Sequence, residues 1–240
     1  MDQLLVALDV DSGARALQLA EQLNGLVGGV KIGSRLFTLE GPELVKRIAG
    51  TGVRVFLDLK FHDIPNTVAQ AVEAATLTGA WMINVHASGG VPMMQAAAKA
   101  AVDTARMARK PKPLVIAVTV LTSMDEPTLH EAGVSRPLME HVVELAKMAQ
   151  RAGLDGVVAS PLETREIRDT CGGDFAVVTP GIRGAAAGAE KNDQNRTMGP
   201  GDAIKAGSTY LVVGRPIIAA ADPRAAAQAI GDEIRTALSL

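Results

Sequence analysis

Aromatic side chains are nearly missing from this chain: one Trp, one Tyr and four Phe among 240 residues. Large rings therefore cannot fill a core, and Val, Ile, Leu and Ala must do so. That suits parallel strands covered by helices on their outer faces. Cysteine is almost absent too. Cys171 stands alone, which excludes a disulfide within the chain and leaves no thiolate set for a structural zinc. Neither sign of charge dominates: the net charge is −2, with acids and bases interspersed. A nucleic-acid footprint and a membrane-binding basic face are both excluded on that ground. Long apolar runs are lacking as well. The run at residues 4–8 is too short for a leader core or a membrane span, and Met1-Asp2-Gln3 carries an acid where a leader carries bases. The expectation is a soluble protein of a reducing compartment, the cytoplasm.

What is present is a regular alternation. Hydrophobic residues make up 48 % of the chain, enough for a sizeable core. Short β-branched runs at 4–8, 29–32, 54–59, 82–85, 114–120, 156–159, 176–179 and 210–213 read as strands. Helical spacing of apolar residues marks 14–23, 43–48, 68–77, 93–107, 138–149, 163–168 and 224–238, with Gly41-Pro42 as a helix start. Eight strands, each followed by a helix-length segment, recur at roughly 30 residues, the size of a βα unit. A doubly wound sheet shares this alternation. The count of eight and the placement of polar residues favour a (β/α)8 barrel, for which about 250 residues is usual, as one domain over residues 1–240. One connection, from Pro180 to Gly199, is long enough to suggest function rather than mere linkage.

Polar residues gather where the proposed strands end. Asp9 follows the first, Lys31 lies in the second, Asp58 and Lys60 close the third with Asp63 just beyond, and His86 follows the fourth. Thr122 and Ser123 follow the fifth, Ser160 the sixth, Arg183 the seventh, and Gly214-Arg215 the eighth. Barrels of this type carry their active sites at the C-terminal ends of the strands. In an extended strand Asp58 and Lys60 share a face, and Lys31 on the neighbouring strand reaches the same space. Ammonium and carboxylate groups alternating in a small volume favour each other's ionised forms. A D-x-K pair alone is more often a structural ion pair. Asp9 and Lys31 at adjacent strand ends turn the balance toward catalysis.

A second constellation joins residues 179–183, T-P-G-I-R, to 213–216, V-G-R-P. The loops after strands seven and eight often bind phosphate in such barrels. Gly214 lets a backbone N–H approach an oxyanion, and Arg215 offers a bidentate fork. Gln194 adds a neutral donor from the long loop. His62 and His86 have no third partner at metal-ligand spacing, and His86 reads as a hydrogen-bonded structural residue. Asn84 reads equally well as structural or functional.

The segment 58–67, D-L-K-F-H-D-I-P-N-T, resembles the signature of orotidine 5′-monophosphate decarboxylases. The resemblance runs along the chain through V-A-L-D-V around Asp9, K-I-G at Lys31, N-V-H-A-S-G-G at 84–90, V-T-V-L-T-S-M at 118–124, D-G-V-V at 155–158, V-T-P-G-I-R at 178–183 and V-G-R-P-I at 213–217. Residues 183–195 depart most from the family pattern. The resemblance implies the barrel, decarboxylation of orotidine 5′-monophosphate, no cofactor, and a homodimer. It assigns proton transfer to Lys60 and places Asp58 against the substrate carboxylate. Lys31 and Asp63 complete the charged network, with Asp63 and Thr67 reaching into the partner's site. Asp9 and Lys31 hold the ribose, Thr122 the pyrimidine, and Gln194, Gly214 and Arg215 the phosphate, with Arg183 close by. The competing enzyme reading is a Mg2+-dependent sugar-phosphate decarboxylase or aldolase with a D-x-K-x-x-D barrel. Lys31 argues against it, since it stands where a metal site needs a carboxylate. The competing non-enzymatic reading, a phosphate-sensing barrel, leaves the charged cluster unexplained.

Overall fold

Parallel strands buried on both faces need apolar residues at successive positions, and β1 (Leu4–Ala7) supplies them: all four of its residues are buried. The computed structural model describes residues 2–182 and 196–239. In it β1, β2 (Gly29–Gly33), β3 (Val55–Phe61), β4 (Met82–His86), β5 (Leu114–Val118), β6 (Gly156–Val158), β7 (Ala176–Thr179) and β8 (Tyr210–Val213) close into a barrel in sequence order, every neighbouring pair parallel. Between and after them run α1 (Gly13–Leu23), α2 (Ser34–Gly50), α3 (Pro65–Leu77), α4 (Gly90–Ala108), α5 (Glu126–Glu131), α6 (Leu138–Arg151), α7 (Thr164–Cys171), α8 (Pro200–Lys205), α9 (Arg215–Ile218) and α10 (Pro223–Leu238). No described helix is long and apolar enough to cross a membrane.

Alternation along the strands divides the core in two. Leu4 and Val6 face the helices, whereas Leu5 and Ala7 join Phe56, Met82, Ile116, Val178 and Val212 inside the barrel. The helices bury matching stripes. In α1, Ala16, Leu19, Ala20 and Leu23 face inward, and Ser12 caps the first turn by accepting from the Arg15 N–H at 3.3 Å. The N-terminal end of the barrel is closed by Trp81, edge-on to Tyr210, with the Arg54 guanidinium 4.5 Å from the Trp81 ring centre. The apolar interior above this plug admits no charge, so inward-facing charged residues must cluster at the opposite end.

Three stretches differ from the expectation. The helix after β2 begins at Ser34 rather than at Pro42; Gly41, at φ 68°, bends it, and the Pro42 segment is its second half. Strand five ends at Val118, before Val120. Strand three runs on to Phe61, through an irregularity that matters for the site.

Candidate active site

The register places Ala7, Lys31 and Phe56 side by side on β1, β2 and β3. Lys31 therefore projects into the barrel just above its apolar filling. Its ammonium lies 3.6 Å from Asp9 Oδ1 and 3.3 Å from Asp58 Oδ2. Asp58 Oδ1 in turn accepts from Lys60 Nζ at 2.6 Å. The four charges form an alternating chain, Asp9, Lys31, Asp58, Lys60. Its middle is buried: the Lys31 and Asp58 side chains are 12 % and 13 % exposed, against 62 % for Asp9. Burial opposes ionisation of Asp58, but Lys31, Lys60 and the hydrogen bonds from Lys60 and Asn84 outweigh it and hold the carboxyl below its ordinary range. Gly33 matters for clearance, since a Cβ there would stand 3.3 Å from Lys31 Nζ.

Lys60 reaches Asp58 by a route that strand alternation does not describe. Its φ is 53°, a left-handed conformation uncommon for a side chain of this size, and the pairing of β3 with β4 shifts register between Leu57 and Phe61. Its N–H donates to Asn84 Oδ1 at 2.8 Å, and Asn84 Nδ2 donates to Asp58 Oδ1 at 2.7 Å. One fully buried amide on β4 thus fixes both the turned backbone of Lys60 and the carboxylate that Lys60 contacts. Backbone strain of this kind persists where surrounding structure over-determines it, and it concentrates at functional sites.

A cavity of about 250 Å3 opens over this chain of charges, lined by Asp9, Lys31, Asp58 and Lys60 together with Ser34 and Arg35. Gly214 lies beside Asp9: a Cβ there would meet Asp9 Oδ2 at 3.6 Å and Ala7 Cβ at 3.5 Å. Gly214 leads directly into α9, whose first residue is the exposed Arg215. Residues 2–230 match the family described as "Orotidine 5'-phosphate decarboxylase / HUMPS family". The chain belongs to that family. A protein of Syntrophotalea carbinolica named orotidine 5'-phosphate decarboxylase is 54 % identical over 98 % of this chain and 96 % of its own length. A protein of Moorella thermoacetica with the same name is 50 % identical over 97 % and 92 %. Among solved structures, orotidine 5'-phosphate decarboxylase from Lactobacillus acidophilus superposes with a TM-score of 0.85 at 37 % identity, covering 98 % of this chain and 99 % of that one.

The segment 58–67 thus runs from β3 through the following loop into the first turn of α3. The structure brings Asp9, Lys31, Asp58 and Lys60 together and leaves Asp63 apart. Asp63 is exposed, its Oδ1 accepts from the Ile64 N–H at 2.7 Å, and among the described residues no ion pair joins it to Lys31 or Lys60 of its own chain. Thr67 is exposed on the first turn of α3. Thr122 is half-buried in the β5–α5 loop. Arg183 and Gln194 lie outside the described residues. His86 is hydrogen-bonded as expected, its Nδ1 2.6 Å from the Ser88 hydroxyl, and it stacks on His62 with ring centres 5.3 Å apart. Burial, His62 and Lys60 push the His86 pKa down to about 4. Sequence reasoning left the role of Asn84 open and missed Ser34 and Arg35. An amide on a strand carries no signal separating the two roles, and 34–40 looked like a connection.

Proposed function

We propose that this protein decarboxylates orotidine 5′-monophosphate to uridine 5′-monophosphate and carbon dioxide without a metal or organic cofactor. The observation that carries the reading is the alternating chain Asp9–Lys31–Asp58–Lys60 lining one cavity, with the Lys31 ammonium between two carboxylates. A cation site would need an oxygen ligand at Lys31, so the geometry favours this reaction over the Mg2+-dependent alternative. The C6–carboxylate bond breaks, its electron pair stays on C6, and carbon dioxide leaves. The Lys60 ammonium, preoriented by Asp58 and Asn84, stabilises the developing negative charge and then donates its proton to C6. Asp58 stands against the substrate carboxylate, a placement that favours its departure. Asp9 and Lys31 hold the ribose, and Thr122 meets the pyrimidine. The phosphate lies against the backbone at Gly214 and the Arg215 fork, with Gln194 and Arg183 completing its site. Those contacts are remote from C6 and contribute through loop closure to transition-state binding.

The active form is a homodimer with shared sites, in the cytoplasm, built from one barrel domain. Support for sharing is the exposed run 62–67, where Ile64 is 66 % exposed and Asp63 and Thr67 are both exposed. The test of the activity is direct: purified protein is incubated with orotidine 5′-monophosphate, and conversion is followed by absorbance and product chromatography, with and without EDTA. Turnover unaffected by chelation supports the reading. Absence of product, or loss in EDTA restored by Mg2+, refutes it.

A further inference from the structure

Away from the charge chain, Glu163 and Arg196 form a more deeply buried ion pair, their side chains 1 % and 11 % exposed. Glu163 ends the turn Ser160-Pro161-Leu162-Glu163 before α7. Its Oε2 accepts from the Ser160 N–H at 2.8 Å, and its Oε1 accepts from the Ser160 hydroxyl at 3.0 Å. Ser160 and Glu163 thus satisfy one another within this turn, and the Ser160 hydroxyl also accepts from the Leu162 N–H at 3.2 Å. Arg196 nevertheless donates from Nη1 to Glu163 Oε1, and from Nη2 to the Leu121 carbonyl at 2.9 Å. Burial raises the Glu163 carboxyl above its ordinary range while Arg196 pulls it down.

Three loops at the C-terminal face therefore meet on one guanidinium: the β5–α5 loop through Leu121, the β6–α7 turn through Glu163, and the β7–α8 connection through Arg196 itself. The residue after Leu121 is Thr122. We infer that Arg196, seated by Glu163, is a positioning residue that fixes the main chain at Leu121 and so presents Thr122 to the substrate pyrimidine; the inference rests on the activity proposed above. The planar fork is required because it spans two acceptors on different loops, which the single nitrogen of a lysine does not. The turn's own hydrogen bonds need Ser160 and Glu163 alone.

The test is a double-mutant cycle on the full-length protein, with Arg196→Lys, Thr122→Ala and their combination assayed for decarboxylation and thermal stability. Arg196→Lys keeps a cation beside Glu163 and should leave the melting temperature close to that of the parent. It should lower kcat/KM on the order of 10²-fold, the scale of a misplaced binding group. In the Thr122→Ala background most of that loss should vanish, because the residue being positioned is gone. Glu163→Gln, which retains an acceptor for Ser160, should follow the same pattern and serves if Arg196→Lys folds poorly. Unchanged kinetics, losses that simply multiply across the cycle, or losses that track only the folded fraction would overturn the inference. A parent protein that fails to turn over orotidine 5′-monophosphate would overturn the activity reading, and this inference with it.

Discussion

Asn84 is the residue through which the backbone of Lys60 and the carboxylate of Asp58 are coupled, and replacing it with alanine separates three effects. The carboxylate loses a charge-assisted hydrogen bond of 2.7 Å, worth about 1.5–3 kcal/mol. The Lys60 N–H loses its acceptor at 2.8 Å, a desolvation cost of about 1–3 kcal/mol if no water replaces it. Against these, Lys60 becomes free to leave its left-handed conformation, recovering on the order of 1–2 kcal/mol. The balance is a loss of about 0.5–5 kcal/mol, centred near 3, divided between folding stability and the placement of Lys60. A shift of Lys60 by roughly 1 Å would lower kcat on the order of 10²-fold. Chemical denaturation gives the first part, and decarboxylation kinetics of the folded variant gives the second. Asn84→Asp sharpens the test. The new side chain still accepts from the Lys60 N–H but sets a second carboxylate against Asp58, so its activity should be lower than that of the parent at neutral pH. Parental kcat and stability in Asn84→Ala would refute the reasoning.

Other consequences follow from the same geometry. Arg215→Ala should cost several kcal/mol, about 2–5, in kcat/KM for the phosphorylated substrate and almost nothing for the substrate lacking phosphate; equal losses would make Arg215 structural. When inactive Lys60→Ala and Asp63→Ala homodimers exchange subunits, mixed dimers should regain activity, because one site then combines an intact Lys60 with an intact Asp63 from the other chain. Mass-verified heterodimers that stay inactive would confine Asp63 to its own chain. His86 has a folded pKa near 4 against an ordinary 6.5, so between those values the unfolded chain binds a proton that the native protein does not. Stability should fall as pH drops from 6.5 to 4, by about 1–2 kcal/mol after allowance for partial exposure. The lowered Asp58 pKa acts in the same direction in more acid solution, its contribution being lost as pH falls through the folded value. His86→Gln should flatten the first part of the slope, and an unchanged slope would contradict the assignment.

Much of the architecture was readable because each strand is a short β-branched run and each long helix carries a periodic apolar stripe. The charge cluster was readable because barrel topology places strand ends together, which brought Asp9, Lys31 and Asp58 into one region before any coordinates. Lys60 does lie beside Asp58, but not by the route that strand alternation describes. Alternation assumes an extended backbone, whereas Lys60 turns left-handed at a register shift that only the β3–β4 pairing reveals. Gly41-Pro42 resembles a helix start and so hides the helical character of 34–40, and α9 is too short for any period. Glu163 carries no signal of its burial in the sequence. Its pairing with Arg196 had no local signal, since 33 residues separate the two.

The central claim is that the Lys60 ammonium, held by Asp58 and Asn84, performs the chemistry. Its most direct test is single-turnover decarboxylation of orotidine 5′-monophosphate by Lys60→Ala in EDTA. Circular dichroism should show a native barrel, and binding of uridine 5′-monophosphate should show an assembled site. Loss of both the positive charge and the proton donor should reduce the rate by more than the ~10²–10³-fold that follows removal of one oxyanion donor, with the fold and nucleotide binding retained. A folded, nucleotide-binding variant that decarboxylates within about tenfold of the parent, a difference of only about 1.4 kcal/mol in the barrier, would contradict the account.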